Sequence, residues 1–149
     1  MEKPNRSARY DAQDFNRLYK ELDDLYHDAA LKMGISDSEL TILYAVSRLG
    51  GGCLQRDICE QACISKQTVN TAVRKLEREG LLCLGTQTNR NKQIHLTEAG
   101  MRFARENICP LVQMEDEAFW ALRAEEQEEL LRLTRKYVEG FRDRFKKGL

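Results

Sequence analysis

The 149-residue chain lacks several features that define large classes of proteins. No apolar run approaches the roughly 20 residues that a membrane-spanning helix needs, so we do not expect a membrane protein. The N-terminal segment lacks the apolar core of a signal peptide, which predicts a cytoplasmic protein. Internal repeats and low-complexity linkers are absent. With 42% hydrophobic and 32% charged residues, the chain is expected to fold as a single domain, 1–149, with its own core.

Metal and thiol chemistry receive little support from the sequence. Its five cysteines are an odd number in a chain with no export signal, which predicts reduced thiols and no disulfide framework. Cys59 and Cys63 do not have the usual zinc spacing, and the only histidines are His27 and His95. Both cysteines are interpreted as small packing residues, with Cys63 at a turn where glycine is usual. A redox-sensing thiol, which must be exposed and have a low pKa, is kept as an alternative.

Basic and acidic residues balance over the whole chain but are unevenly distributed along it. The formal net charge is zero. Between Ser65 and Leu96, six basic residues stand against two acidic ones, whereas between Leu111 and Leu130 seven acidic residues stand against one basic residue. Because a local basic face is what phosphate binding requires, the zero net charge does not exclude nucleic acid as a partner.

The first third of the chain predicts two helices. Residues 11–33 carry an apolar stripe at helical spacing, formed by Phe15, Leu18, Leu22, Leu25, Ala29 and Met33. Gly34 suits the C-terminal cap of this helix. Ser36 and Glu39 then have the spacing of a capping box, which predicts the start of a second helix that ends at three glycines, 50–52.

The centre of the chain predicts a helix-turn-helix followed by a hairpin. Gln55–Ala62 is a short helix, and Ser65 is a good N-cap for a longer one whose inward side is Val69, Ala72, Val73 and Leu76. Gly80 ends that helix, and residues 81–84 and 93–96 read as two strands around a polar hairpin tip. A helix presented in this way has the size and exposure to enter the major groove of DNA.

The last third predicts further helices. Thr97 caps a long helix in which Pro110 is expected to cause a kink, and residues 124–147 form a final helix with its own apolar stripe. The predicted fold is therefore mainly α with a small β-wing. A small winged helix offers little to cover the apolar stripes of the long terminal helices, so a homodimer that pairs these helices is expected.

Three segments of this pattern resemble the MarR family of bacterial transcriptional regulators. They are Ile64-Ser65-Lys66-Gln67-Thr68-Val69, Leu76-Glu77-Arg78-Glu79-Gly80-Leu81 and Leu96-Thr97-Glu98-Ala99-Gly100. The resemblance implies a winged helix-turn-helix over residues 36–100 and dimerisation helices over 10–34 and 101–147. In the family, the arginine of an Asp-x-Arg wing motif enters the minor groove and the aspartate helps to brace it. This chain reads Thr88-Asn89-Arg90 there, so it keeps the arginine and replaces the aspartate.

The candidate DNA-binding residues lie on the second helix of the motif and on the wing. Their side chains suit base edges and phosphates, since Gln and Asn can bond adenine, Arg can bond guanine, and hydroxyls at a helix N-terminus favour phosphate. On the helix they are Ser65, Lys66, Gln67, Thr68, Asn70, Thr71 and Arg74. On the wing, Arg90 is assigned to the minor groove and Lys92 to a phosphate.

The function expected from these features is sequence-specific, double-stranded DNA binding by a homodimeric transcriptional repressor on a pseudo-palindromic operator. The resemblance suggests relief by a small-molecule effector in a cleft. Five aromatic residues could line this cleft: Tyr10, Tyr19, Tyr26, Tyr44 and Trp120. Aromatic residues on helices more often belong to the hydrophobic core. The alternatives are a thiol-based regulator of the same fold and a winged helix that binds protein instead of DNA. No catalytic constellation, metal site or cofactor site is recognised, so an enzyme is not expected.

Overall fold

The computed structural model of the protein describes residues 9–85 and 93–149. The chain divides into two compact units, Met1–Cys109 and Pro110–Leu149. In chain order the elements are α1 (Ala12–Met33), α2 (Asp37–Leu49), β1 (Cys53–Leu54), α3 (Gln55–Ala62), α4 (Lys66–Arg78), β2 (Leu82–Leu84), β3 (Gln93–Leu96), α5 (Glu98–Phe103), a π-helical turn (Ala104–Ile108), α6 (Cys109–Trp120) and α7 (Ala124–Gly148).

The ends of the first two helices are set by caps that the sequence predicted. Gly34 ends α1 in the left-handed region, with φ of 71°. At the start of α2, the Ser36 side chain accepts a hydrogen bond from the backbone N–H of Glu39, and the Glu39 side chain accepts one from that of Ser36. The predicted capping box is therefore confirmed.

The core of the first unit is built around α2. Five of its apolar side chains are buried: Leu40, Ile42, Leu43, Ala45 and Val46. Helix α4 contributes the inward side that the sequence predicted, Val69, Ala72, Val73 and Leu76, and α3 contributes Ile58. Helices α2, α3 and α4 pack against one another in pairs, so α4 rests on a rigid base.

The wing sheet has three strands in the order β1-β3-β2, all antiparallel. Strands β2 and β3 are the predicted pair, with Leu82 opposite Leu96 and Leu84 opposite Ile94. The third strand, β1, was not predicted, because two residues are too few to show an alternating pattern. Its Cys53 lies opposite Ile94, and both side chains are buried.

Thr97 joins the end of α4 to the start of α5. Its hydroxyl donates to the carbonyl oxygen of Gly80 at 2.5 Å and accepts from the backbone N–H of Gly100 at 3.0 Å. The predicted N-cap is confirmed. Gly100 lies directly against the backbone of Leu81, where a Cβ would overlap the carbonyl oxygen. A glycine is therefore required at this crossing of α5 and the chain that enters β2.

A π-helical turn precedes Pro110, where the sequence predicted a kink. Proline has no N–H and its ring crowds the carbonyl one turn earlier, so a wider turn just before it relieves both problems. The second unit consists of α6 and α7, which lie on either side of the break at residues 121–123. Helix α7 has no buried residue along its described length.

Candidate nucleic-acid interface

Helix α4 is presented by a short turn from α3. Cys63 caps the end of α3 with φ of 53°, and it is the one non-glycine residue with positive φ among those described. The sequence prediction of a position suited to glycine is thus confirmed. Ser65 then caps α4, with its Oγ accepting from the backbone N–H of Thr68 at 3.2 Å. Cys59 and Cys63 were both interpreted as small packing residues: Cys59 is half-buried, whereas Cys63 is exposed, so the interpretation is wrong for Cys63.

We expect Cys63→Gly to stabilise the protein by roughly 0.5–1 kcal/mol, because the left-handed conformation costs a side chain more than it costs glycine. Thermal unfolding would measure the gain. Cys63→Ala is the matched control, since it removes the thiol but keeps a Cβ at positive φ. Equal unfolding temperatures for the two variants would show that the backbone at this turn carries no strain.

The outward side of α4 carries polar side chains that are not part of the hydrophobic core. Lys66, Gln67, Thr71 and Arg74 are exposed, and Asn70 is half-buried. All lie away from the buried stripe of Val69, Ala72, Val73 and Leu76. The first turn contains no acidic residue, so nothing there repels a phosphate from the positive end of the helix dipole. The surface is thus free to meet base edges or phosphates.

Hydroxyl groups on α4 already have partners within the protein. Ser65 Oγ and Thr68 Oγ1 are 2.8 Å apart, and Thr71 Oγ1 donates to the carbonyl oxygen of Gln67 at 3.0 Å. These bonds already use donor or acceptor capacity of the three hydroxyl groups. Of the residues predicted to read bases, Gln67, Asn70 and Arg74 carry side chains that can bond two atoms of a base edge.

One basic residue of α4, Lys75, already has an acidic partner within the protein, although its side chain is 48% exposed. Lys75 Nζ lies 2.7 Å from Oε1 of Glu39, whose side chain is only 1% exposed. Burial by itself raises the pKa of the Glu39 carboxyl, but hydrogen bonds from Lys75 and Ser36 overcome this and hold it at about 2. Lys75 therefore serves to join α4 to α2, and the positive charge available to a ligand is smaller than the sequence count suggested. The two partners are 36 residues apart in sequence, so no local pattern could reveal the pair.

A groove of about 360 Å³ runs between the start of α2 and α4, beside the predicted base readers. Its lining residues are Ser36, Ser38, Glu39, Gln67, Thr68, Thr71, Ala72 and Lys75. Arg90 and Lys92 of the wing, and the motif Thr88-Asn89-Arg90, lie outside the described residues. Their assigned roles stay predictions.

Metal-binding clusters and reactive cysteines were looked for among the described side chains. In residues 9–85 and 93–149, no three His, Cys, Asp or Glu side chains converge as a metal site would require. Burial raises the pKa of the Cys53 thiol, which disfavours the reactive thiolate, whereas Cys63, Cys83 and Cys109 are exposed. Over the same ranges no helix has both the length and the apolar character to cross a bilayer.

The sequence model of the MarR family matches residues 33–86. This segment contains α2, α3 and α4 and reaches the end of β2. The segment from α2 to β2 is thus similar to the MarR family. The resemblance to this family that the sequence motifs indicated is thereby confirmed. No curated protein sequence matches the chain.

Solved structures share the MarR fold over most of the chain. NMB1585, a MarR family regulator from Neisseria meningitidis, has a TM-score of 0.74 at 18% identity, covering 92% of this chain and 97% of its own. S. aureus MepR, solved as a DNA complex, has a TM-score of 0.68 at 22% identity, covering 90% and 99%. BpsR of Bordetella bronchiseptica, whose DNA binding is regulated by 6-hydroxynicotinic acid, has a TM-score of 0.65 at 20% identity, covering 90% and 98%. At such identities the likeness establishes the fold.

Proposed function

We propose that the chain is a sequence-specific DNA-binding transcriptional regulator that acts in the cytoplasm. The observation that carries this proposal is the capped helix α4, which presents Gln67, Asn70 and Arg74 from a rigid base. MepR, on the same fold, binds DNA. Docking α4 in the major groove would let its N-terminal half read bases while Ser65 and Lys66 meet phosphate. This is a binding function and needs no catalytic group.

The regulator is proposed to act as a homodimer. Helix α1 leaves Leu18, Leu22 and Leu25 at least half exposed. Helix α7 exposes the apolar residues Leu130, Leu131, Leu133, Tyr137, Val138, Phe141 and Phe145. Because large apolar surfaces of this kind mark interaction sites, a second copy covering residues 10–34 and 101–147 would bury them. Light scattering that found a stable monomer at micromolar concentration would contradict this part.

Repression and relief by a small effector complete the proposal. Two recognition helices in successive major grooves of an inverted repeat would lie about 10 base pairs apart, and a ligand that changed their spacing would release the DNA. BpsR, whose DNA binding responds to a small molecule, supports this. Tyr10, Tyr19 and Trp120 are exposed in the single chain, although aromatic residues on helices were expected more often in the core.

Selection of bound DNA from a random library tests the proposal directly. We expect enrichment of a two-fold symmetric motif, with an affinity that falls steeply as salt rises. Absence of enrichment at low salt would favour the alternative of a winged helix that binds protein. Enriched DNA whose binding is lost after mild peroxide treatment would favour the thiol-based alternative.

We expect Arg90→Ala to weaken operator binding at least about tenfold, the loss of one good charged contact of roughly 1.4 kcal/mol. The physical reason is that an arginine in the narrow minor groove gains from its enhanced negative potential. Titration of the selected operator with both proteins at one salt concentration would measure the change. Equal affinities would remove the wing from the proposed interface.

A further inference from the structure

Glu39 is the one buried charged residue among those described, and one of its oxygens is unpartnered. Oε1 accepts from Lys75 Nζ at 2.7 Å and from the backbone N–H of Ser36 at 3.1 Å. Oε2 is buried and has no hydrogen-bond donor in the described part of the chain. A buried carboxylate oxygen without a donor is unfavourable, so a donor at this position would stabilise the fold.

Glu79 lies beside the same lysine that binds Glu39. It caps the end of α4, one turn beyond Lys75, and its Oε1 is 3.8 Å from Lys75 Nζ. Partial burial raises the pKa of the Glu79 carboxyl, whose side chain is 41% exposed, and hydrogen bonding and charge interaction with Glu39 raise it further, whereas Lys75 and Arg78 lower it. The two carboxyl groups lie 2.7 Å and 3.8 Å from the same Lys75 ammonium group, so the protonation of one affects the other.

We propose that Glu39, Lys75 and Glu79 form a proton-dependent clamp that positions the recognition helix α4 against α2. In the closed clamp, the protonated carboxyl of Glu79 donates to Oε2 of Glu39 while Lys75 continues to donate to Oε1. The proton comes from solvent, and the charge of the three groups changes from −1 to zero. The effect on DNA affinity rests on the proposed function, but the clamp itself does not.

The direction of the pH effect follows from the two carboxyl groups. The folded pKa of Glu79 lies above its ordinary value of 4.5, so its contribution to stability is full below that value and is lost as pH rises through the folded pKa. The folded pKa of Glu39 is about 2, so its contribution is present above 4.5 and is lost only as pH falls toward 2. The closed clamp with ionised Glu39 therefore belongs to mildly acidic conditions.

A second titrating pair, His27 and Asp37, lies at the start of α2 and is unchanged in all the variants compared below. His27 of α1 lies 2.9 Å from Asp37 at the start of α2, and the hydrogen bond to Asp37 raises the pKa of His27. Its titration contributes to any pH profile near neutrality. Comparison between variants that all keep His27 removes this contribution.

Glu79→Gln tests the clamp, because its amide can donate to Glu39 at any pH. We expect the full-length variant, without DNA, to unfold about 2 °C or more above the wild type at pH 7.5, the effect of one gained hydrogen bond. The gap in unfolding temperature should narrow as pH falls toward 4.5, because the wild type takes up its proton as pH falls through the raised pKa of Glu79. Glu77→Gln is the matched control, since it removes the same charge from an exposed position on the same helix. It should follow the wild-type pH profile.

Two results overturn the clamp: a Glu79→Gln variant no more stable than Glu77→Gln at pH 7.5, or a gap in unfolding temperature that does not narrow as pH falls toward 4.5. Positioning of α4 is tested separately, on the selected operator. We expect Glu79→Gln to bind roughly twofold tighter than the wild type at pH 7.5 and to lose the difference as pH falls toward 4.5. Unchanged affinity beside the expected stability gap would overturn the positioning role. Failure of all variants to bind any DNA would refute the proposed function and leave the unfolding test intact.

Discussion

Replacing Asn70 and Arg74 together with alanine is expected to weaken operator binding by roughly 100-fold or more, because each well-placed pair of bonds to a base contributes about 1–3 kcal/mol of discrimination. Both side chains lie on the outward side of α4, and neither belongs to the buried stripe that holds the helix in place. Binding to unrelated DNA should fall much less, since phosphate contacts remain. Titration of operator and scrambled duplexes at matched salt would measure both changes.

Arg102→Ala is a suitable control for this double substitution. Arg102 is exposed on α5, so its replacement removes a positive charge without touching α4. It should leave the ratio of specific to non-specific affinity unchanged. If the double variant kept the full operator preference while remaining folded, α4 would not be the reading element, and the proposed function would lose its basis.

Among the described glycines, Gly100 is the one at which replacement by alanine is expected to be most destabilising. The new Cβ would overlap the carbonyl oxygen of Leu81, and backbone cannot move aside as a flexible side chain can. We expect a loss of roughly 3 kcal/mol or more, at the upper end of the range for overpacking, and a fall in Tm of about 10 °C. Thermal or urea unfolding of the full chain would measure it.

Gly140→Ala makes the same chemical change where the opposite sign is expected. A Cβ at Gly140 of α7 would meet only the end of the Arg144 side chain, at 3.3 Å. Alanine should therefore stabilise this helix by about 0.5–1 kcal/mol through its better helix propensity. Destabilisation by both substitutions to the same extent would show that the crossing at Leu81 is not what makes Gly100 necessary.

Much of the fold could be predicted because its determinants are local. The capping box of Ser36 and Glu39, the N-caps at Ser65 and Thr97 and the left-handed turn at Cys63 all depend on neighbours within a few residues. Each of them appeared in the sequence as a residue type at a fixed spacing. The inward side of α4 was predictable for the same reason, since helical periodicity alone defines it.

Features that join distant parts of the chain could not be predicted. The ion pair between Glu39 and Lys75 and the pairing of β1 with β3 connect residues 36 and 41 positions apart. The π-helical turn before Pro110 is the way in which the helix accommodates a residue without an N–H. The sequence predicted a kink there but not its form. Residue types sufficed to predict candidate base readers, whereas the hydrogen bonds that the hydroxyls of Ser65, Thr68 and Thr71 make depend on the folded geometry.

The pairing of β1 has a mechanical consequence for DNA recognition. Strand β3 is held on both edges, and its first residue, Gln93, lies opposite Leu54, which is the N-cap of α3. The side chain of Gln55, the first residue of α3, in turn donates to the backbone carbonyl of Lys66 at the start of α4, at 3.4 Å. The base of the wing is thus linked to α4 through one strand pair and one hydrogen bond. Contacts made in the minor groove and in the major groove would for this reason be energetically coupled rather than additive.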